Sequence, residues 1–199
     1  MTNILVEAWR HSDWIGKADL IILLILSIYS WAIIIEKYLL YKKTEKGNRV
    51  FLKNYYNGKI SNIKYSVWGQ IFSKSLKEKQ NINPNPEKIL NLLKRISREE
   101  FYSFERGMSF LILTAAVSPF LGLLGTVWGL LLSFHAIGMT GSASMSVVAS
   151  GVGEALISTV AGLVVAIPAA AGHNLFNEKL RLLQKEGEDI LESFYLFLK

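Results

Sequence analysis

The sequence predicts an all-α membrane protein with three transmembrane helices, the second and third extended by long cytoplasmic helices. Three observations carry that reading. Of the 199 residues, 51% are hydrophobic and 19% are charged, whereas a soluble domain carries about a quarter charged residues. The 22 basic residues are unevenly placed, with 2 in residues 1–35, 16 in 36–106, none in 107–171 and 4 in 172–199. The stretch 107–171 holds a single acid, Glu154. So long a run without charge has no place in a soluble domain, a disordered chain or a disulfide scaffold. There is no cysteine, which removes thiolate metal sites and thiol nucleophiles.

The elements follow in order. Residues 1–17 form a short outer segment, expected in the periplasm. Leu20 to Ile35 is an uncharged apolar run, extended by Trp14, Ile15 and Ala18 on one side and by Tyr38 to Tyr41 on the other, which predicts a first span over 18–38. Lys17, Asp19, Glu36 and Lys37 are expected near the two interfaces, with the lysines snorkelling. The mixed charges of residues 1–17 and the lack of a small-residue site after Ile35 argue against a cleaved signal peptide. An uncharged run then predicts a second span over 107–135, and a run broken only by Glu154 predicts a third over 147–171, joined to it by the Ser/Gly-rich loop 136–146. Lys37, Lys42, Lys43, Lys46, Arg49 and Lys53 follow span 1, and Lys94, Arg95, Arg98 and Arg106 lead into span 2. The positive-inside rule therefore places 39–106 and 172–199 in the cytoplasm and 136–146 outside.

Within the cytoplasmic loop, Asn85-Pro86-Glu87 is a helix start, with an Asn cap, Pro in the first turn and an acid behind it. Ile89, Leu92, Leu93, Ile96 and Phe104 keep helical spacing, predicting a helix over about 86–106 that runs straight into span 2. Phe176, Leu180, Leu183, Ile190, Phe194 and Leu198 repeat the pattern in the tail. Each stripe needs a partner to cover it. Residues 54–86 show turn signals and no clear period. The basic loop lacks aromatic interleaving or a binding motif and reads as a topology signal, not a nucleic-acid surface.

Spans 2 and 3 carry small residues at helical spacing, including Gly122, Gly125 and Gly129 on one and Ala155, Gly162 and Ala169 on the other. Such faces let helix backbones approach closely in lipid, and helix packing is their ordinary role. Pro119 and Pro168 each withdraw a backbone donor inside a span. Thr126 and Thr159 lie on the small-residue faces. A lone intramembrane Thr usually bonds its own backbone, but two together fit the lining of a narrow path. Glu154 is either an interfacial carboxylate or an entry group for a proton or cation, because a charge at membrane depth is expensive. No titratable group stands at the middle of spans 2 or 3, so a proton crossing there would need a carboxylate from a second polypeptide. His11, His135 and His173 have no ligand spacing, and no metal site, cofactor motif or enzyme site is found.

At this point SPFLGLLGTVWGL (Ser118–Leu130) and GVGEALISTVAGLVVAIPAAAGHNLFN (Gly151–Asn177) closely resemble the TolQ/ExbB/MotA family of proton-channel stator subunits. The first span, SIYSWAIIIEKY (Ser27–Tyr38), and the short outer N-terminus are similar to the TolQ pattern within it. The resemblance implies a pentameric ring in a bacterial inner membrane, with spans 2 and 3 lining a pore around a TolR-like dimer of single-span helices. Each partner helix would carry the titrating Asp, and a TolA-like protein would be a further partner. Thr126 and Thr159 match the family's pore threonines, Glu154 its span-3 glutamate and Pro168 the proline at the cytoplasmic end of span 3.

The expected function is thus the pore subunit of a proton-driven motor of Tol–Pal type, with the proton as the transported ion and no cofactor. An ExbB-like subunit energising TonB-dependent transport and a passive membrane scaffold are the alternatives. Proton against sodium stays open on residues alone.

Overall fold

The computed structural model describes residues 13–59, 64–80, 85–140 and 145–198, and every regular element among them is helical. The order is α1 (Trp14–Tyr56), α2 (Val67–Lys79), α3 (Pro86–Glu105), α4 (Met108–Thr140) and α5 (Met145–Leu198). Three helical stretches are long and apolar enough to cross a membrane, one within α1, one leading through α4 and one within α5. The chain divides into two compact units: residues up to Ile34 with Ser109–His173, and Ile35–Met108 with Asn174–Lys199.

The first unit is built outside-in relative to a soluble domain. Large apolar side chains such as Leu24, Ile28, Phe120, Leu124, Val164 and Ile167 are exposed. Its interior holds small or polar residues, among them Ser30, Thr114, Ser118, Ser158 and Ala169, all buried. Water has no drive to bury the outer residues if lipid surrounds them, and close backbone packing then falls to the small ones. Pro119 and Pro168 both lie inside unbroken helices.

The second unit has a conventional core. Trp68 and Ile71 of α2, Leu93, Ile96 and Phe104 of α3, Phe51 of α1 and Phe194 of α5 are all essentially excluded from solvent. Phe72 and Phe194 meet edge to face at 4.9 Å, and Phe51 packs against both. The apolar stripes of α3 and of the tail are therefore covered within the chain. The sequence reading of 54–86 missed α2. Its start is a local cap: Ser66 Oγ accepts from Gly69 N at 3.0 Å and donates to Asn48 Oδ1 at 3.0 Å. The signal was present as Val67, Trp68, Ile71 and Phe72, one apolar helical face directly after a serine. Lys74 pairs with Glu100 and Arg95 with Glu78, tying α2 to α3. The Glu100 carboxylate beside Lys74 holds its ammonium above the usual lysine range.

Three expectations need correction. The helix begun at Asn85, whose Oδ1 accepts from Glu87 N, does not run straight on. Arg106 turns out of helical geometry with ψ 128, and Gly107 takes φ +83, a left-handed conformation that only glycine adopts at little cost. A new helix then starts at Met108. The helix of span 1 does not end near residue 38, because α1 continues to Tyr56. Lys37 does not snorkel. It is 1% exposed, and its Nζ donates to the Ser103 carbonyl at 2.7 Å. That carbonyl belongs to the last turn of α3, where intrahelical donors run out and a cation is favoured.

Candidate functional site

Asp19, Ser158 and Thr159 of the first unit meet where α4 and α5 cross. The crossing is set by glycine. A Cβ on Gly122 would stand 2.7 Å from the Ser158 carbonyl oxygen and 2.9 Å from the Thr159 Cα. A Cβ on Gly162 would stand 2.5 Å from the Ser118 carbonyl oxygen and 3.1 Å from the Gly122 Cα. These neighbours are backbone and cannot swing aside, so any side chain would push the helices apart. Gly129 approaches Ala155 in the same seam.

Close approach brings one helix's hydroxyl onto the other's backbone. Thr159 Oγ1 donates to the Gly122 carbonyl at 3.2 Å, a half-buried bond between α5 and α4. Thr126, one turn farther along α4 and 8% exposed, bonds within its own helix, Oγ1 donating to the Leu123 carbonyl at 2.7 Å. Of the two threonines sequence reasoning selected, Thr159 bridges the two helices, whereas Thr126 is buried on α4 with its hydroxyl turned to its own backbone. Glu154 lies on α5, but its side chain falls outside the described residues.

A further acid occupies this interior. Asp19 of α1, expected at the interface, is instead 4% exposed. Its Oδ2 accepts a short hydrogen bond from the Ser158 hydroxyl, and Oδ1 is buried with no partner among the described residues. Gly125 of α4 faces this pair, since a Cβ there would overlap Ser158 Oγ and lie 2.8 Å from Asp19 Oδ2. The sequence held a signal for it: Asp19, Leu23 and Ser30 stand four and eleven residues along one face, and all three are buried. The hydroxyls of Ser30, Thr114 and Ser118 are also buried without partners among the described residues.

The arrangement offers hydroxyls, carbonyls and one carboxyl at a tight helix crossing. Among the described residues no group of three His, Cys, Asp or Glu could hold a metal ion.

A family model described as the MotA/TolQ/ExbB proton channel family matches residues 64–189. The Tol-Pal system protein TolQ of Haemophilus influenzae is 32% identical over 97% of this chain and 92% of its own length. The protein of the same name from Pseudomonas aeruginosa is 29% identical over 85% of this chain and 84% of its own. A biopolymer transport protein ExbB of Neisseria meningitidis is 27% identical over 83% of this chain and 84% of its own.

Proposed function

The chain belongs to the MotA/TolQ/ExbB proton channel family, and on that premise we propose that it is the pore subunit of an inner-membrane, proton-driven motor of Tol–Pal type. Copies of the chain form a pentameric ring with α4 and α5 toward the centre, around a TolR-like dimer whose single spans carry the titrating carboxyl. The cytoplasmic side holds residues 39–106 and the tail from 172. The observation that carries the reading is the Thr159 hydroxyl bonded to Gly122 in a glycine-made crossing. That crossing brings hydroxyls to membrane depth on helices whose own mid-span residues do not titrate.

One elementary charge moving through 100 mV releases about 2.3 kcal/mol, several times the thermal energy. Protonation of the partner's carboxyl removes its charge and frees its helix to move to the next subunit. Deprotonation restores the charge, which Thr126 and Thr159 stabilise by hydroxyl donation once their protons leave the Leu123 and Gly122 carbonyls they bond in this structure. Glu154, nearer the outer end of span 3, serves as the entry group. The work passes to a TolA-like protein and the envelope.

The test is Thr159→Val, which keeps the shape and removes the donor. Loss of proton-dependent envelope function with normal assembly is the expected result. Normal function in that variant contradicts the lining role and favours a passive scaffold. The match to ExbB relatives, one of them 48% identical over 86 residues, supports an ExbB-like role in TonB-dependent transport as the second reading. Neighbouring genes separate the two, since a Tol–Pal cluster and a TonB receptor cluster carry different partners.

A further inference from the structure

Asp19 is costly where it stands. A carboxyl group buried among membrane helices is disfavoured on insertion scales. A buried acceptor without a donor adds to that cost, and Oδ1 is buried with no partner among the described residues. Helix packing alone would be better served at this place by a small apolar residue, as it is at Ala155 and Ala169, both buried. The crossing is nevertheless shaped around the carboxyl. Ser158 reaches it, and Gly125 leaves the room that the Ser158 hydroxyl and Asp19 Oδ2 occupy.

The geometry of α5 connects this contact to the threonine. Ser158 and Thr159 are consecutive on a helix, so their side chains point about 100° apart. One hydroxyl is held by Asp19 of α1, the next by the Gly122 carbonyl of α4. Two bonds in different directions from adjacent residues fix the rotation of α5 about its own axis. At a helix's outer radius of about 5 Å, a rotation of roughly 20° moves a side-chain group by about 2 Å. That is enough to lose a hydrogen bond. The small-residue seam sets how near α5 comes, but small smooth faces do not by themselves specify rotation.

We propose that Asp19 is a positioning residue: by binding Ser158 it sets the rotation of α5 and so keeps the Thr159 hydroxyl at the Gly122 carbonyl, the place from which it serves the pore. The inference rests on the proposed lining role of Thr159. It assigns Asp19 an acceptor's task, for which an amide oxygen serves as well as a carboxyl oxygen.

The experiment uses the full chain in its assembled complex, comparing Asp19→Val, Asp19→Asn, Thr159→Val and the double variant Asp19→Val with Thr159→Val. Membrane level, oligomer size and proton-dependent function per assembled complex are read for each. Asp19→Val is expected to assemble normally and lose roughly tenfold or more of function, while Asp19→Asn, which keeps the acceptor, stays within a few-fold of the parent. The double variant is expected to be no worse than the weaker single, because both changes act through one hydroxyl. Asp19→Asn as damaged as Asp19→Val would overturn the inference, since the acid itself would then be required. Additive losses, or failure of Asp19→Val to assemble, overturn it too. Impairment in Thr159→Val beside normal Asp19→Val overturns this inference alone, whereas normal Thr159→Val removes the lining role on which it rests. A second measurement does not depend on function: with no native cysteine, the pair Asp19→Cys and Ser158→Cys should join through a short thiol cross-linker, and failure to join contradicts the contact.

Discussion

The Thr159 hydroxyl lies 3.2 Å from the Gly122 carbonyl it donates to, a bond between two helices that exists because Gly122 has no side chain. The relationship makes glycine at 122 a condition for the threonine's placement, and it generates the first prediction.

Gly122→Ala and Gly162→Ala should each force α4 and α5 apart, because the new methyl meets backbone at 2.7 Å and 2.5 Å respectively. Overpacking of this kind costs about 1–3 kcal/mol. Thermal melting of the solubilised complex should show lowered midpoints for both. Gly138→Ala, where a Cβ meets nothing within 4 Å, should melt with the parent, and equal melting of all variants would contradict the crossing.

Lys37→Met should destabilise the second unit by about 1–3 kcal/mol. It removes the Nζ bond to the Ser103 carbonyl and leaves that half-buried helix-end acceptor without its donor. Hydrogen exchange should rise across the end of α3 and at Gly107. Unchanged protection there would mean the bond carries no stability.

Gly107→Ala tests the turn between α3 and α4. An alanine at φ +83 is strained by about 1–2 kcal/mol. The variant should melt lower than the parent, or straighten the turn toward the continuous helix that periodicity alone predicts.

Tyr41 gives a pH window. It is buried and donates to the Phe176 carbonyl at 3.0 Å, and burial pushes its phenol up to about 12. The unfolded chain releases that proton near 10. The folded state favours the neutral form, so the contribution of Tyr41 is whole below pH 10 and is lost as pH climbs toward 12. Tyr41→Phe should be less stable at neutral pH by about 1 kcal/mol and should lose stability less steeply between pH 10 and 12 in alkaline melting curves.

These predictions also mark what was legible in the sequence. Long uncharged runs and helical spacing at Ile89, Leu92, Leu93 and Ile96 announce helices because lipid and core each select side chains over many turns. The Asn85 cap announces its start because capping is local. Glycines 122, 125, 129 and 162 were visible as a face, though their contacts were not. What stayed hidden depends on partners far along the chain. Lys37 reads as an interfacial lysine until Ser103, 66 residues on, offers a carbonyl. Asp19 reads as a boundary acid until Ser158, 139 residues on, bonds it. The segment 54–86 hid α2 because Asn-Gly and Asn-Pro signals at both ends mask a single amphipathic stretch of three to four turns.

The most direct measurement is cysteine cross-linking between this chain and the single-span partner in the native membrane, using Thr159→Cys and Thr126→Cys in a chain that has no cysteine of its own. Cross-links from both positions to the partner's span, with none from Ile167→Cys on the exposed apolar face, are the result predicted. Cross-links from Ile167→Cys and none from Thr159→Cys or Thr126→Cys would put the wrong face toward the partner and contradict the pore.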